Sequence, residues 1–206
     1  MQSAMFVMVT RKCSGRRKEI YDRKDNSGYT CYYEEGYMKV YRCRICGEVY
    51  IGKEKPNSCP FCGAHESYLV LAKKWKLLQS ETLSDITREN LKKALDLEIN
   101  NTNFYKAASE KSRDVHFSSM FKGISKVERE HASAICKHLG IEKPDSTAGL
   151  ERATDSDQAN IEEANRGEMR AVKFYGQAFN QAPEEEIKEF FKALMEIESD
   201  HIALTD

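Results

Sequence analysis

Two short stretches, Val127-Glu128-Arg129-Glu130-His131 and Ile197-Glu198-Ser199-Asp200-His201, set the strictest limit on what this chain can fold into. On an α-helix, residues i and i+3 lie about 60° apart in projection, so Glu128 with His131, and Glu198 with His201, aim at one point. The second stretch follows the first by 70 positions. The same shift superposes Ala94 on Ala164, Glu98 on Glu168, Phe104-Tyr105 on Phe174-Tyr175, Ala108 on Ala178, and Phe121-Lys122 on Phe191-Lys192. Agreement at so many positions is an internal duplication.

Each copy supplies two helices, the first with one buried glutamate and the second with a Glu-x-x-His. Four glutamates and two histidines pointing into one four-helix bundle form the ligand set of a dinuclear, carboxylate-bridged metal site, usually di-iron. Charge counting agrees. The carboxylates of Glu98, Glu128, Glu168 and Glu198 cancel the four positive charges of two ferrous ions, whereas without metal they repel one another and take up protons. Glu98 lies in an apolar stripe of Leu91, Ala94, Leu95, Thr102, Tyr105 and Ala108, where a charge needs a partner. Either half alone fits surface glutamates and satisfied histidines equally well; the matched set does not.

The other three stripes are equally regular. Phe117, Phe121, Ile124, Val127, Ala134 and Ile135 line a second helix over about residues 115–139, which Gly140 stops. His116 and His138, near its ends, are expected to be solvated, and Cys136 to be a packed small hydrophobe. Ile161, Ala164, Ala171, Val172, Tyr175 and Phe179 line the third helix, with Asp155, Ser156 or Asp157 as its cap. Pro183 opens the fourth, whose stripe runs through Ile187, Phe190, Phe191, Leu194, Ile197 and Leu204; Glu184, Glu185 and Glu186 read as a solvated helix start. The first helix is capped by Ser84 or Thr87. Residues 141–156 form a long crossover between the hairpins, which is the ferritin-like topology.

Ahead of the bundle stands a second metal motif, Cys43-Arg44-Ile45-Cys46-Gly47 and, after a 12-residue gap between Cys46 and Cys59, Cys59-Pro60-Phe61-Cys62-Gly63. Two such knuckles form a tetrahedral thiolate set that suits iron or zinc. The organisation is therefore an N-terminal extension over 1–37, a four-cysteine domain over 38–70, a connector over 71–84 read as a short helix or docking strand, and a bundle over 85–206. Trp75, in the connector, reads as structural. The extension is basic at Arg11-Lys12, Arg16-Arg17-Lys18 and Arg23-Lys24, but Glu19, Asp22 and Asp25 dilute it, so a solvated, disordered arm is expected. Met38 is a natural start for the four-cysteine domain, which makes dispensability of residues 1–37, or a misassigned start, the hypothesis.

A net charge of -1 gives no reason to expect nucleic acid, and no apolar run approaches a membrane span. Met5-Phe6-Val7-Met8-Val9 is too short for a secretory segment. A cytoplasmic protein is expected, and the seven cysteines agree, since Cys13, Cys31 and Cys136 are an odd remainder rather than a disulfide set.

Both motif sets together resemble the rubrerythrins, in the reversed order that places a rubredoxin-like domain first; the likeness covers about residues 38–206. Tyr41, Tyr50, Pro56 and Tyr68 look like a rubredoxin's small aromatic core, which favours iron. The resemblance implies three irons per chain, one at Cys43, Cys46, Cys59 and Cys62 and a pair in the bundle, and reduction of hydrogen peroxide to water in oxidative-stress defence with electrons relayed through the four-cysteine iron from an external reductase. It makes Glu128 and Glu198 bridging ligands, Glu98 and Glu168 terminal ones, and His131 and His201 the ligands that complete one iron each. Tyr105 and Tyr175, two turns beyond Glu98 and Glu168, are expected to hydrogen-bond to carboxylates near the metals. One departure stands out: many rubrerythrins carry a further glutamate where this chain has Ala171, so the six-ligand set also looks like a bacterioferritin ferroxidase centre.

Three functions fit these residues. The first is a peroxidase; the second is dioxygen reduction or ferroxidase chemistry at the same site. The third is a zinc-ribbon binding module joined to a metal-buffering bundle, with zinc held by the four cysteines; manganese also suits the bundle site. The connector is so short that the two centres are expected to meet between subunits of a homodimer or larger homo-oligomer, rather than within one chain.

Overall fold

The computed structural model describes residues 38–76, 78–80 and 82–205. The expectations for residues 1–37 lie outside that range. Strands β1 (Lys39–Cys43), β2 (Val49–Gly52) and β3 (Leu69–Leu71) form an antiparallel sheet in the order β2-β1-β3. Alternation along β1 turns Tyr41 and Cys43 inward and Val40 outward. Tyr41 and Tyr68 are buried, and the Tyr41 and Tyr50 rings lie 6.4 Å apart. The connector begins as the end of β3 and continues as a single 3-10 turn, Ala72–Lys74. Trp75 is structural: its indole Nε1 donates to the Cys43 carbonyl (3.0 Å), and the Arg42 guanidinium lies 3.6 Å over its ring.

Four helices complete the chain, α1 (Asp85–Lys111), α2 (Val115–Leu139), α3 (Asp157–Gln181) and α4 (Glu185–Thr205). Local chemistry sets their ends. The Ser84 hydroxyl accepts from the Thr87 amide, Asp114 from the His116 and Phe117 amides, and Ser156 from the Ala159 amide, while Gly140 closes α2 with φ of 67°. α1 packs on α2, α3 on α4, and α1 on α3, so two hairpins are joined by the crossover. This is a ferritin-like bundle behind a small Cys-rich domain. Tyr105, Tyr175, Phe104, Phe121, Phe190, Phe191 and Leu194 fill its core.

Three expectations about single side chains fail. His138 is buried, not solvated: the last turn of α2 lies against α4, with the imidazole 4.4 Å from the Phe190 ring, and burial pushes its pKa down to about 4. Glu184 is no solvated residue, because its carboxylate accepts from the Ser84 amide (2.5 Å) and the Thr87 hydroxyl (2.5 Å), tying the starts of α1 and α4 together. Leu204 is 59 % exposed, since the buried stripe of α4 ends in Thr205 instead. Among the described residues no helix is long and apolar enough to cross a membrane.

Candidate metal centres

The four helices bring Glu98 (α1), Glu128 and His131 (α2), Glu168 (α3), and Glu198 and His201 (α4) to one point at the bundle centre, all buried. They form two overlapping sets, Glu98, Glu128, His131 and Glu198, and Glu128, Glu168, Glu198 and His201, each with ligand atoms within 4.8 Å of one another. Glu128 and Glu198 belong to both. The His131 Nδ1 lies 3.4, 3.5 and 3.2 Å from carboxylate oxygens of Glu98, Glu128 and Glu198. The His201 Nδ1 lies 3.1, 3.7 and 2.9 Å from those of Glu128, Glu168 and Glu198.

These atoms need cations. Both carboxylate oxygens of Glu128 and Glu198, one oxygen each of Glu98 and Glu168, and Nδ1 of both histidines are buried without a hydrogen-bond donor or acceptor. Eight such atoms converging on one space is costly unless protons or metal ions neutralise them. Burial, reinforced by the neighbouring carboxylates, pushes Glu98 well above the usual carboxylate range and Glu168 up to about 8. The donor set, oxygen-rich with two imidazoles, suits a pair of ferrous-type ions.

The tyrosine hydroxyls cross between the copies. Tyr105 on α1 donates to Glu168 on α3, and Tyr175 on α3 donates to Glu98 on α1. Ala171 is fully buried within this core.

In the four-cysteine domain the two knuckles close on one another. Cys43 Sγ lies 3.8 Å from Cys62 Sγ, and Cys46 Sγ lies 3.8 Å from Cys59 Sγ. A tetrahedral centre with metal–sulfur bonds of about 2.3 Å has its sulfurs about 3.8 Å apart, so the pocket fits one such ion. The amides of Ile45 and Glu48 approach Cys43 Sγ and Cys46 Sγ. Gly47 and Gly63 take the left-handed turn that closes each knuckle, with φ of 83° and 77°. Hydrogen bonds from the other three cysteines hold the Cys59 thiol far below its ordinary range.

Comparison with known proteins matches residues 89–205 to the Rubrerythrin family and residues 41–69 to the rubrerythrin rubredoxin-like domain. The chain belongs to the rubrerythrin family. A curated relative, reverse rubrerythrin-1 of Clostridium acetobutylicum, is 26 % identical over 141 residues, which cover 61 % of this chain and 76 % of that protein. No solved structure gave a match. Like that relative, this rubrerythrin carries the reversed domain order, and its four-cysteine and carboxylate–histidine clusters fit iron.

Within one rubrerythrin chain the two centres touch, contrary to the expectation drawn from the short connector. His131 Nε2 lies 2.9 Å from the carbonyl oxygen of Cys62. A carbonyl only accepts, so Nε2 carries the hydrogen and Nδ1 presents its lone pair to the bundle centre. The connector need not be long, because the four-cysteine domain lies directly on α2 and α4. Arg44 pairs with Glu189 through two hydrogen bonds, His65 Nε2 lies 2.7 Å from Asp200, and the Tyr68 hydroxyl donates to Glu196. Lys137 donates to the Cys46 carbonyl (2.7 Å), and a Cβ on Gly63 would stand 3.0 Å from Ile197. No sequence signal pointed to these pairings, since the partners lie 91 to 145 positions apart.

Proposed function

We propose that this rubrerythrin is a peroxidase that reduces hydrogen peroxide to two waters, taking two electrons and two protons per turnover. The observation that carries the reading is the 2.9 Å contact between the Cys62 carbonyl and His131 Nε2, which joins the two centres through a cysteine and a histidine expected to be ligands. Cys43, Cys46, Cys59 and Cys62 would hold one iron. Glu98, Glu128, His131, Glu168, Glu198 and His201 would hold a pair, with Glu128 and Glu198 shared. When bound, the ferrous pair supplies the two electrons that break an O–O bond.

The chain's own residues do the rest. Burial excludes bulk water, so charge that develops at the centre is met by fixed groups rather than solvent. Burial and the adjacent carboxylates hold the Tyr105 and Tyr175 phenols well above their ordinary range, so both stay protonated and orient Glu168 and Glu98. His131, fixed by its Nε2–H, keeps one orientation toward the carboxylates. An external reductase would return electrons to the four-cysteine iron.

A second reading, dioxygen reduction or ferroxidase chemistry, is favoured by Ala171, which leaves the ligand set symmetric. One experiment separates these. Iron-loaded, fully reduced protein is mixed anaerobically with hydrogen peroxide or with dioxygen, and reoxidation of the four-cysteine centre is followed. Fast reoxidation by peroxide and slow reoxidation by dioxygen is expected; the reverse supports the second reading. Zinc in the four-cysteine site of native protein would leave no relay and would support a binding module.

A further inference from the structure

The relay requires an entry point for electrons, and the four-cysteine domain has one end turned away from the bundle. The knuckle end of the sheet carries the contacts to α2 and α4. Running from that end to the other, the β1–β2 register sets Arg42 opposite Val49, beside the knuckle, and Val40 opposite Ile51, so these four side chains share the outer face of the sheet. Met38 is 59 % exposed, Val40 43 %, Val49 43 % and Ile51 58 %. That apolar face runs into Arg42, stacked on Trp75, and the Trp75 indole N–H reaches the carbonyl of the ligand residue Cys43.

Charge distinguishes the four-cysteine domain from the rest of the chain. Residues 38–76 hold eight Lys or Arg against three Asp or Glu, a net +5, whereas residues 77–206 hold 17 against 25, a net −8. Lys39 opens β1, Lys53 follows β2, and Lys73 and Lys74 follow β3, so the register gathers four lysines at the same sheet end. All four are exposed, and among the described residues none has a carboxylate within 4.0 Å. Glu54 is the one acidic residue in these flanks.

We propose that this face is the docking site of an acidic one-electron carrier protein. The inference rests on the electron-relay reading. A small apolar centre with a charged rim is how transient redox interfaces combine fast encounter with weak, reversible binding. Other occupants fit less well. A second copy would bring a face of the same charge, residues 1–37 are themselves basic with seven Lys or Arg against five acids, and nucleic acid has no use for the apolar centre. The transfer is a single electron: the carrier is oxidised by one equivalent, the ferric four-cysteine centre is reduced by one, and no bond or proton moves.

The test uses the full chain in two forms. Isotope-labelled protein with redox-silent zinc in the four-cysteine site is titrated with an acidic flavodoxin and followed by NMR. Shifts should concentrate at Val40, Val49, Ile51 and the Trp75 indole, and affinity should fall at least about tenfold between about 20 and 300 mM salt. Ile51→Glu, or Lys39→Glu with Lys53→Glu, should weaken binding at least about tenfold at an unchanged melting temperature. In the iron form, the second-order rate of reduction by flavodoxin hydroquinone should fall in parallel, while reduction by a small neutral photoreductant stays unchanged. Shifts elsewhere, or variants that bind as the parent does, overturn the proposal. So does a sedimentation change with Ile51→Glu that reveals a second copy on this face. Binding as expected by the zinc form, without reduction of the iron form, upholds the docking face and removes the relay.

Discussion

Tyr175 of α3 donates its hydroxyl hydrogen to Glu98 of α1, and Tyr105 of α1 does the same for Glu168 of α3. Each half of the duplicated chain thus restrains the other half's glutamate. Replacing either tyrosine by Phe leaves a buried carboxylate oxygen without its donor, a loss of about 1–3 kcal/mol. Urea unfolding should show it. The optical bands of the oxidised bundle site, or its rate of reoxidation by peroxide, should change as well; unchanged values in both variants would remove the role assigned to these hydroxyls.

Gly63→Ala should be destabilising by about 1–2 kcal/mol, because an L-residue resists its φ of 77° and the new Cβ would meet Ile197 at 3.0 Å. The same change should slow electron transfer between the centres, since Gly63 follows Cys62 at the contact with His131. Gly123→Ala is the control: it lies in α2 with nothing within 4 Å of an added Cβ, so a gain of about 0.5–1 kcal/mol is expected. Equal effects at both positions would refute the account.

Metal removal should change how stability depends on pH. In the metal-free bundle Glu98 and Glu168 are raised, chiefly by burial, Glu168 to about 8. A carboxyl whose folded pKa is raised binds its proton more tightly when folded. Its contribution is full below the unfolded value of about 4.3 and is lost as pH climbs toward the folded one. His131 and His201 are opposed by burial but raised overall by the surrounding glutamates, and they share this sign. Glu128 and Glu198, raised by burial but lowered overall by the adjacent histidines, act only below the ordinary carboxylate range. Chelator-treated protein should therefore lose stability between about pH 5 and 8, and metal-loaded protein should not follow it, because its ligands are already deprotonated. Chemical denaturation across that window checks the sign.

Because Cys62 and His131 meet within one chain, mixing a Cys59→Ser variant with a Glu128→Ala variant should restore little peroxide turnover. Substantial recovery in mixed oligomers would instead place the working contact between chains.

The bundle was largely legible because its signals are local. Helix periodicity, Ser84, Ser156 and Gly140 mark elements that the structure reproduces, and the 70-position repeat singled out the four glutamates and two histidines that meet at its centre. What escaped is long-range. Nothing in the sequence near Glu184 signals the Ser84 amide and the Thr87 hydroxyl that it accepts from, nor does His138 signal the Phe190 ring that buries it. The docking of the four-cysteine domain on α2 and α4 was likewise invisible, since linker length bounds reach but says nothing of direction.

The crossed tyrosines carry a consequence for ancestry. One hairpin of this chain holds a glutamate without its tyrosine partner and a Glu-x-x-His with no opposing half. It is half a site. Two identical hairpins facing each other across a twofold axis would rebuild the whole of it, so a forebear of half this bundle could have worked only as a pair, and fusing the halves freed each copy to diverge.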